Sequence, residues 1–560
     1  MKHYYLMALI LIGSSVSSYG QSALDAYRFS QPDLKGTARF MSMGGAFGAL
    51  GGDLSTLSQN PAGIGVYRSN EIGFSLDLDA QKSTATSLGQ TSDVSQTKFL
   101  LNNIGGVATL RIPSTTVPNL NIGFTYNKAA SFNRRYAGTL PQLQTSMSNY
   151  IAGLANGNEL NPSDLITTDG YDPYNSGTPW LPILGFDGML INPSSDGNTT
   201  YWTGQFGDAF TDPNTGQRIP GTSGSGYFDV VEKGSIDEYN IAIGGNVSNV
   251  FFWGMNFDIV NFDYKLQSLY GENLTNAWVE NPSGEVGQTN SEWNMQNLYR
   301  CNGTGFNYQL GVIVKPIQEL RFGLAFHTPT WYNLTETFSA DIYSKAYGQN
   351  YHPVTNNGVP GYNDMNFTSP WKVIASVAGV VGSKFIISAD YEWNSYQTMK
   401  FSEPSYNDYG WGYDDWMPYS NNSPFNPDIY ADTNADVKEY YRNTNTLRIG
   451  AEYRITPNFS VRAGYSFVSS PVKQKAKDGK ENIYTAGTMP NYRFDNTTNY
   501  ITCGLGYRVK GFYADLAYVY KHMNSTYHAF PQDPSSEIMS PTAKLGLTNN
   551  QVVLSMGYKF

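Results

Sequence analysis

Histidine, the side chain most often used as a base or a metal ligand near neutral pH, is scarce in this sequence. The 560 residues contain five histidines: His3, His327, His352, His522 and His528. A hydrolase needs a nucleophile, a base and an orienting group in one place, and metal or haem ligation needs a comparable set of donor atoms. His327 ends an alternating apolar segment, where a polar residue at an interface is the simpler interpretation. We therefore predict no enzymatic activity, no catalytic residue, no metal site and no cofactor.

Segment 409–436 is rich in carboxylates and aromatic rings. Its acidic runs, Asp414-Asp415 and 432–436, offer oxygen atoms of the kind that calcium prefers, but neither follows EF-hand spacing, so we interpret them as solvated turns. The aromatic residues could form an interfacial girdle, the core of a loop, or a first docking site for an apolar ligand. They are Tyr409, Trp411, Tyr413 and Trp416.

The composition favours strands and turns. Aromatic residues make up 14% of the chain, there are 56 glycines, and charged residues make up only 15%, against about 25% in typical soluble domains. The formal net charge of -10 argues against a nucleic-acid partner, because nucleic-acid binding requires a basic face. Two cysteines, Cys301 and Cys503, allow either one disulfide or two free thiols.

Residues 1–20 follow an export pattern. Lys2 and His3 precede an apolar run, 4–12, and small residues lead to Ser18-Tyr19-Gly20, so Gln21 is the predicted mature start. The apolar run is too short to cross a bilayer as a helix, and no later stretch offers about 18 consecutive apolar residues. The mature chain is therefore expected to be periplasmic, secreted or a membrane barrel.

Alternation of apolar and polar residues, the signature of strands with one apolar face, recurs along the chain. In segment 71–79, for example, Ile72, Phe74, Leu76 and Leu78 are apolar, whereas most residues between them are polar. About fourteen such segments occur, an even number, as single-chain bacterial barrels require. They lie around 71–79, 106–112, 119–127, 239–247, 251–259, 306–314, 320–326, 371–377, 385–393, 447–455, 459–467, 501–509, 514–520 and 552–560.

Short and long connections alternate between these segments. Short turns near 115, 249, 316, 382, 457 and 511 are separated by predicted long loops at 80–102, 129–234, 267–303, 330–369, 395–440, 469–498 and 522–548. Short periplasmic turns and long external loops are typical of a transmembrane barrel, whereas a soluble sandwich or propeller needs no such rule. The sequence therefore predicts an all-β protein, a transmembrane antiparallel barrel over 71–560. Its terminal aromatic Phe560 resembles the signal by which the barrel assembly machinery recognises such chains.

Residues 21–70 do not alternate and contain the glycine-rich stretch GTARFMSMGGAFGALGGDLSTLSQNPAGIGVYRS. Its glycines could imitate a phosphate cradle, but no Lys-Ser/Thr follows and no strand precedes, so close packing of a compact element is the better interpretation. The lumen of a fourteen-stranded barrel is wide enough to accept such a plug. We therefore predict an N-terminal hatch inside the barrel.

The chain resembles the FadL/TodX group of outer-membrane transporters of hydrophobic compounds. The resemblance rests on Asn60-Pro61-Ala62 after a glycine-rich stretch, on the predicted fourteen strands and on the aromatic C-terminus. The segments LRFGLAFHTPTWY and PWKVIASVAGVVGSKFIISADYEW resemble the branch found in Bacteroidetes-type bacteria.

The resemblance implies passive uptake of long-chain fatty acids or aromatic hydrocarbons, with lateral release beside a kinked third strand. Alternation fails from Lys128 to Arg135, which is compatible with a kink near Asn127. Expected partners are a hydrophobic ligand, outer-membrane lipids and the assembly machinery, and a protein that caps the barrel stays open. A surface adhesion barrel, a haem receptor and a polar porin are the alternatives. The predicted gate residues are Gly44, Gly45, Gly48, Asn60, Pro61 and Ala62.

Overall fold

The computed structural model describes residues 22–31, 33–196, 199–213, 215–382, 384–404, 429–485, 487–532 and 538–560. The predicted signal peptide and the four aromatic candidates Tyr409, Trp411, Tyr413 and Trp416 lie outside these residues. Among the described residues, no helix combines the length and apolar character needed to cross a membrane.

The described part of the chain is dominated by strands. In chain order they are β1 (Glu71–Ser87), β2 (Gln90–Arg111), β3 (Asn119–Ser131), β4 (Arg134–Leu140), β5 (Ile191–Asp196), β6 (Thr199–Gly204), β7 (Phe210–Thr211), β8 (Arg218–Ile219), β9 (Ser223–Val247), β10 (Phe251–Glu280), β11 (Val286–Ile317), β12 (Leu320–His327), β13 (Trp331–Ala346), β14 (Gln349–Tyr351), β15 (Gly361–Thr368), β16 (Lys372–Val381), β17 (Phe385–Asn394), β18 (Lys400–Ser402), β19 (Thr444–Arg454), β20 (Phe459–Val468), β21 (Tyr492–Val509), β22 (Phe512–His528) and β23 (Thr542–Lys559).

The α-helices are short: α1 (Ala23–Arg28), α2 (Ala38–Ser42), α3 (Met147–Gly157), α4 (Trp180–Asp187), α5 (Ala431–Tyr440) and α6 (Gln474–Lys477). The 3₁₀ helices are Leu54–Ser58, Pro61–Val66, Pro162–Asp164, Pro173–Asn175, Thr355–Gly358 and Tyr396–Thr398.

The strands close into one antiparallel barrel with fourteen wall positions. Each wall position, here called a stave, is formed by one strand or by two strands that follow each other along the same line. From β1 the wall runs through β2, β3 with β4, β9, β10, β11, β12 with β13, β15 with β16, β17 with β18, β19, β20, β21 and β22 to β23, which pairs with β1. Closure satisfies the backbone groups that a free edge would leave unpaired in lipid. The predicted class and strand number are confirmed.

Side chains in the lower part of the barrel point alternately to lipid and to the lumen. On β11, Phe306, Tyr308 and Leu310 face outward, whereas Asn307 and Gln309 are buried inside. This is the arrangement that a bilayer demands, because the wall meets hydrocarbon and the lumen can stay polar.

The strands continue far beyond the apolar band, where loops were predicted. β1 and β2 extend to Ser87 and Gln90, and β10 and β11 extend to Glu280 and Val286, so the loops predicted at 80–102 and 267–303 are mostly strand. The prediction was wrong because it looked for apolar residues on the outer face. Outside the bilayer that face meets water and needs none.

The long connections and the strand extensions form a second region, here called the head. It has its own apolar core, which includes Phe262, Tyr264, Tyr270 and Trp293 on the inner face of the extended strands. Helices α3 and α4 from the predicted loop 129–234 pack into the same core. The head covers one end of the barrel, and the six short turns lie at the other end.

Candidate functional site

The N-terminal segment, residues 33–70, lies inside the barrel and contacts strands around its circumference. The preceding α1 packs into the core of the head through Ala23, Ala26 and its C-cap residue Phe29. The path of the N-terminal segment is set by local chemistry: the Thr37 hydroxyl caps α2, and Gly44 and Gly45 then take positive φ angles of 63° and 77°. Such angles favour glycine, because a Cβ would clash with the backbone. The chain therefore reverses sharply just after α2.

The residues predicted to form the gate come together in this segment. The Asn60 side-chain amide donates to the Gly48 carbonyl oxygen at 2.6 Å, and its Oδ1 accepts from the Ala62 N–H at 3.1 Å. Asn60 thereby caps the 3₁₀ helix whose first residue is Pro61, a position where the missing N–H of proline costs nothing. The Gly48 N–H in turn donates to Asp390 on β17 at 2.9 Å.

Glycines on the barrel wall let the N-terminal segment approach the wall closely, and these glycines were not predicted from the sequence. A Cβ at Gly254 would overlap the Pro61 carbonyl, and one at Gly311 would overlap the Asn60 side chain. A Cβ at Gly323 would likewise overlap Gly48, and one at Gly464 would overlap Gly44. The available signal was recurrence, since glycine occupies an inward position on several strands that otherwise alternate.

Ion pairs attach the segment to one side of the barrel. Lys35 lies 2.7 Å from Asp77 on β1, and both side chains are almost fully buried. Asp33 pairs with Lys521 on β22 at 3.0 Å. Arg39 pairs with Glu452 on β19 at 3.0 Å. These charges are paired, as buried charges must be in a region of low dielectric.

Amides hold the opposite side of the segment. Asn119 and Asn121 on β3 donate to the carbonyl oxygens of Tyr67 and Ile64 at 2.8 and 2.6 Å. Asn256 on β10 donates to the Leu57 carbonyl oxygen at 3.1 Å. Neutral side chains therefore satisfy the backbone of the segment here, in contrast to the ion pairs on the other side.

His327 is not an interfacial residue, which corrects the sequence interpretation. It is buried in the lumen, and its Nε2 lies 2.9 Å from the carbonyl oxygen of Gln59 in the N-terminal segment. Alternation assigns it to the inner face, but only the fold shows that the segment lies opposite. It supports the backbone immediately before Asn60.

The backbone ladder of the wall is interrupted beside the third stave. The ladder between β2 and β3 ends at Asn103 and Asn127, a bulge follows between Lys128 and Ala130, and β3 stops at Ser131 before β4 begins. β4 then lies against the inner face of β1, where the Ser83 hydroxyl donates to the Arg135 carbonyl oxygen. The expected kink near Asn127 is present. Residues 90–102 of β2 have no hydrogen-bonded strand partner among the described residues on the side that faces β3.

Two polar cavities lie between the N-terminal segment and the head. They measure about 110 and 170 Å³, and both are lined by Asp33, Glu238, Lys372, Glu392 and Arg448. The smaller cavity reaches the end of the β2–β3 ladder, because its lining also includes 127–129. The space beside this end of the ladder is therefore charged.

Neither cysteine pairing nor a metal cluster is found among the described residues. Cys301 is buried in the head, Cys503 is exposed on the outer face of β21, and both are free. The described residues contain no group of three or more His, Cys, Asp or Glu side chains able to hold a metal ion.

Comparison with known proteins identifies relatives. The family model described as outer membrane protein transport protein (OMPP1/FadL/TodX) matches residues 235–512. A Pseudomonas aeruginosa FadL homologue aligns with a TM-score of 0.53 at 11% identity, covering 95% of this chain and 100% of the homologue. The Pseudomonas putida toluene transporter TodX aligns at 0.48 and 12% identity, covering 95% of this chain and 100% of TodX. Comparison with curated proteins gives no match. The chain belongs to the OMPP1/FadL/TodX family and is an outer-membrane transport protein with a multi-pass β-barrel.

Proposed function

We propose that this protein takes up hydrophobic small molecules passively and releases them sideways through the wall. The observation that carries the proposal is the interrupted ladder beside the third stave, where the β2–β3 pairing ends at Asn103 and Asn127 and a cavity reaches this gap in the ladder. A closed ladder would offer an apolar molecule no lateral path into lipid.

The direct route to the periplasmic end is filled. The N-terminal segment packs against inward glycines such as Gly254 and Gly464, leaving no room for even a methyl group there. We propose that this segment is a hatch, and that Gly44, Gly45, Gly48, Asn60, Pro61 and Ala62 fix its shape. An apolar ligand that enters from the head is then directed towards the wall rather than towards the short turns.

One cation that lines both cavities, Lys372, favours fatty acids over aromatic hydrocarbons as ligands. Lys372 lines both cavities, and no carboxylate oxygen lies within 4 Å of its ammonium in the part of the chain that the structure describes. A ligand that carries one carboxylate would give this cation a partner. A plain hydrocarbon would leave these polar groups without a partner.

The test is uptake by bacteria that lack a fatty-acid channel of their own. Cells that express the protein are offered labelled oleate or toluene, and vancomycin sensitivity reports an open pore. Ala129→Trp fills the cavity at the gap and should reduce oleate uptake to the level of the empty host. Gly254→Val should displace the hatch and make the cells sensitive to vancomycin.

Matched controls place the same kinds of substitution at positions that contact neither the cavity nor the N-terminal segment. Ala375→Trp changes an exposed residue on an intact ladder, and Gly546→Val changes a strand glycine whose Cβ would meet no atom within 4 Å. Both should behave like the unmodified protein. Oleate uptake that survives Ala129→Trp would exclude lateral release, and uptake of neither probe would favour a binding role for the head.

A further inference from the structure

The end of the barrel that carries the short turns is strongly basic, although the whole chain has a formal net charge of -10. We define the periplasmic rim as residues 67–71, 110–120, 246–252, 314–322, 380–382, 384–386, 453–460, 507–513 and 557–560. It contains nine cations and two carboxylates, Glu71 and Glu319. The cations are Arg68, Arg111, Lys315, Arg321, Lys384, Arg454, Arg508, Lys510 and Lys559.

These cations have almost no anionic partners in the described part of the chain. Lys559 pairs with Glu71 at 2.8 Å, but the other eight form no ion pair within 4 Å there. Their hydrogen bonds go to neutral groups instead: Arg68 donates to Asn249 at 3.1 Å, and Arg321 donates to the Leu50 carbonyl oxygen at 2.8 Å. In the lumen Lys35, Arg39 and Lys521 all have carboxylate partners, whereas the unpaired rim requires another source of anions.

The cations follow the whole circumference rather than one patch. Arg111, Lys315, Lys384, Arg454 and Lys510 each lie in or beside a different short turn. The remaining turn, between β9 and β10, is reached by Arg68 through Asn249. Even spacing of this kind fits many small anions arranged around the barrel better than one partner protein.

The cations also lie at the edge of the apolar band. Lys384 is exposed next to the exposed Phe385, and Lys510 is exposed next to the exposed Val509. Aromatic side chains at this level typically mark the bilayer interface, where lipid phosphates lie. Long basic side chains can reach these phosphates while their stems stay on apolar surface.

We propose that the periplasmic rim binds the phosphates of anionic phospholipids in the leaflet that faces the periplasm. Each hairpin would then be fixed at the interface by a cation and its lipid, which holds the short-turn end of the barrel at a defined depth. The ligand class is the anionic phosphodiester headgroup, with phosphatidylglycerol as the simplest example.

The test is native mass spectrometry of the full-length mature protein, titrated with phosphatidylglycerol or phosphatidylcholine of identical acyl chains. The rim variant replaces Arg111, Lys315, Lys384, Arg454 and Lys510 by Gln. Because one interfacial cation changes lipid binding roughly fivefold, the rim variant should bind phosphatidylglycerol about that much more weakly per site. Its binding of phosphatidylcholine should not change. High salt should reproduce the loss in the unmodified protein.

The control variant removes the same charge from five of the exposed lysines of the head. It replaces Lys345, Lys438, Lys475, Lys480 and Lys544 by Gln, and it should bind phosphatidylglycerol as the unmodified protein does. Heat-dependent migration in electrophoresis shows that each variant still forms a barrel. Equal binding of the two lipids by the unmodified protein, or unchanged phosphatidylglycerol binding by the rim variant, would overturn the proposal and assign the rim to a soluble acidic partner.

Discussion

The two halves of β10 and β11 have the same pleat but opposite chemistry. In the lower half of β10, Met255 and Ile259 face outward and Asn256 and Asp258 face inward. In the upper half of the strand the faces exchange character. Lys265 is then exposed on the outside, whereas Phe262, Tyr264 and Leu266 are buried inside the head.

The exchange follows the solvent and not the backbone. The ladder between β10 and β11 keeps its register through the change, from Ile259 opposite Phe306 to Lys265 opposite Arg300. Below this level lipid covers the wall and the lumen is polar. Above it water covers the wall, and the inner face packs into an apolar core. The lower half of each strand is therefore adapted to lipid and the upper half to water. The level at which the apolar residues change faces marks the edge of the bilayer.

The largest expected difference between the lumen and the head is the free-energy cost of breaking one of their ion pairs. Lys35→Met leaves Asp77 buried without its cation, and breaking a buried pair in this way costs about 3–5 kcal/mol. The cost falls on the docking of the N-terminal segment, so amide hydrogen exchange over 33–70 should accelerate. Arg135→Met in the head is the control, because Arg135 and Asp229 are partly exposed and such a pair contributes about 0–1 kcal/mol. Equal exchange in the two variants would show that the lumen is as well solvated as the head surface.

The next largest effect uses the same substitution at two heights of one strand. Leu310 and Leu298 both face outward on β11 with 51% of their surface exposed. Leu310→Lys places a charge in the lipid-facing band and should cost about 2–4 kcal/mol in urea-dependent unfolding. Leu298→Lys lies in the head and should change stability by less than about 0.5 kcal/mol. Similar losses at both positions would mean that the bilayer extends further up the wall.

The smallest effect is a pH dependence of the head. Glu272 accepts hydrogen bonds from the Met147 N–H at the start of α3 and from Tyr270, and its burial raises the pKa of the carboxyl to about 7. The raised pKa means that ionised Glu272 destabilises the folded head. Stability should therefore be highest below about pH 4.5 and fall by at most about 3 kcal/mol as pH rises to about 7.

Hydrogen exchange of the α3 amides, corrected for intrinsic rates, measures this dependence. Glu272→Gln cannot ionise, so its exchange should be flat over the same pH range. A slope that persists in this variant would assign the dependence to another group. A matched experiment on the lumen amides of 44–48 should show no such slope, because Glu272 lies only in the head.

Sequence reasoning was most successful where one face of each strand meets lipid. All fourteen staves were located there, because alternating segments such as 306–314 cannot hide their apolar residues. The same reasoning missed the strand extensions. In 267–280 the inner face mixes Tyr270 and Leu274 with Ser268 and Glu272, and the outer face is mostly polar, so no regular alternation is visible.

For the candidate site, sequence reasoning identified the segment but not its surroundings. Asn60 and Gly48 were named, and they do contact each other. Their partners on the wall, such as Asp390, His327 and Gly311, are hundreds of residues away in the chain, and no local pattern pairs them. That Lys35 meets Asp77 was equally inaccessible, because the pairing depends on how deep the segment lies in the lumen.

An outer-membrane barrel of fourteen staves, preceded by a compact glycine-rich segment, could be predicted from the sequence alone, because period-two alternation and turn length are local properties. Three features are visible only in the folded chain: the position of this segment between ion pairs and amides, the end of the β2–β3 ladder at Asn127, and the level at which the strands exchange their apolar face. These features depend on which distant residues meet when the barrel closes, and closure is a property of the whole chain.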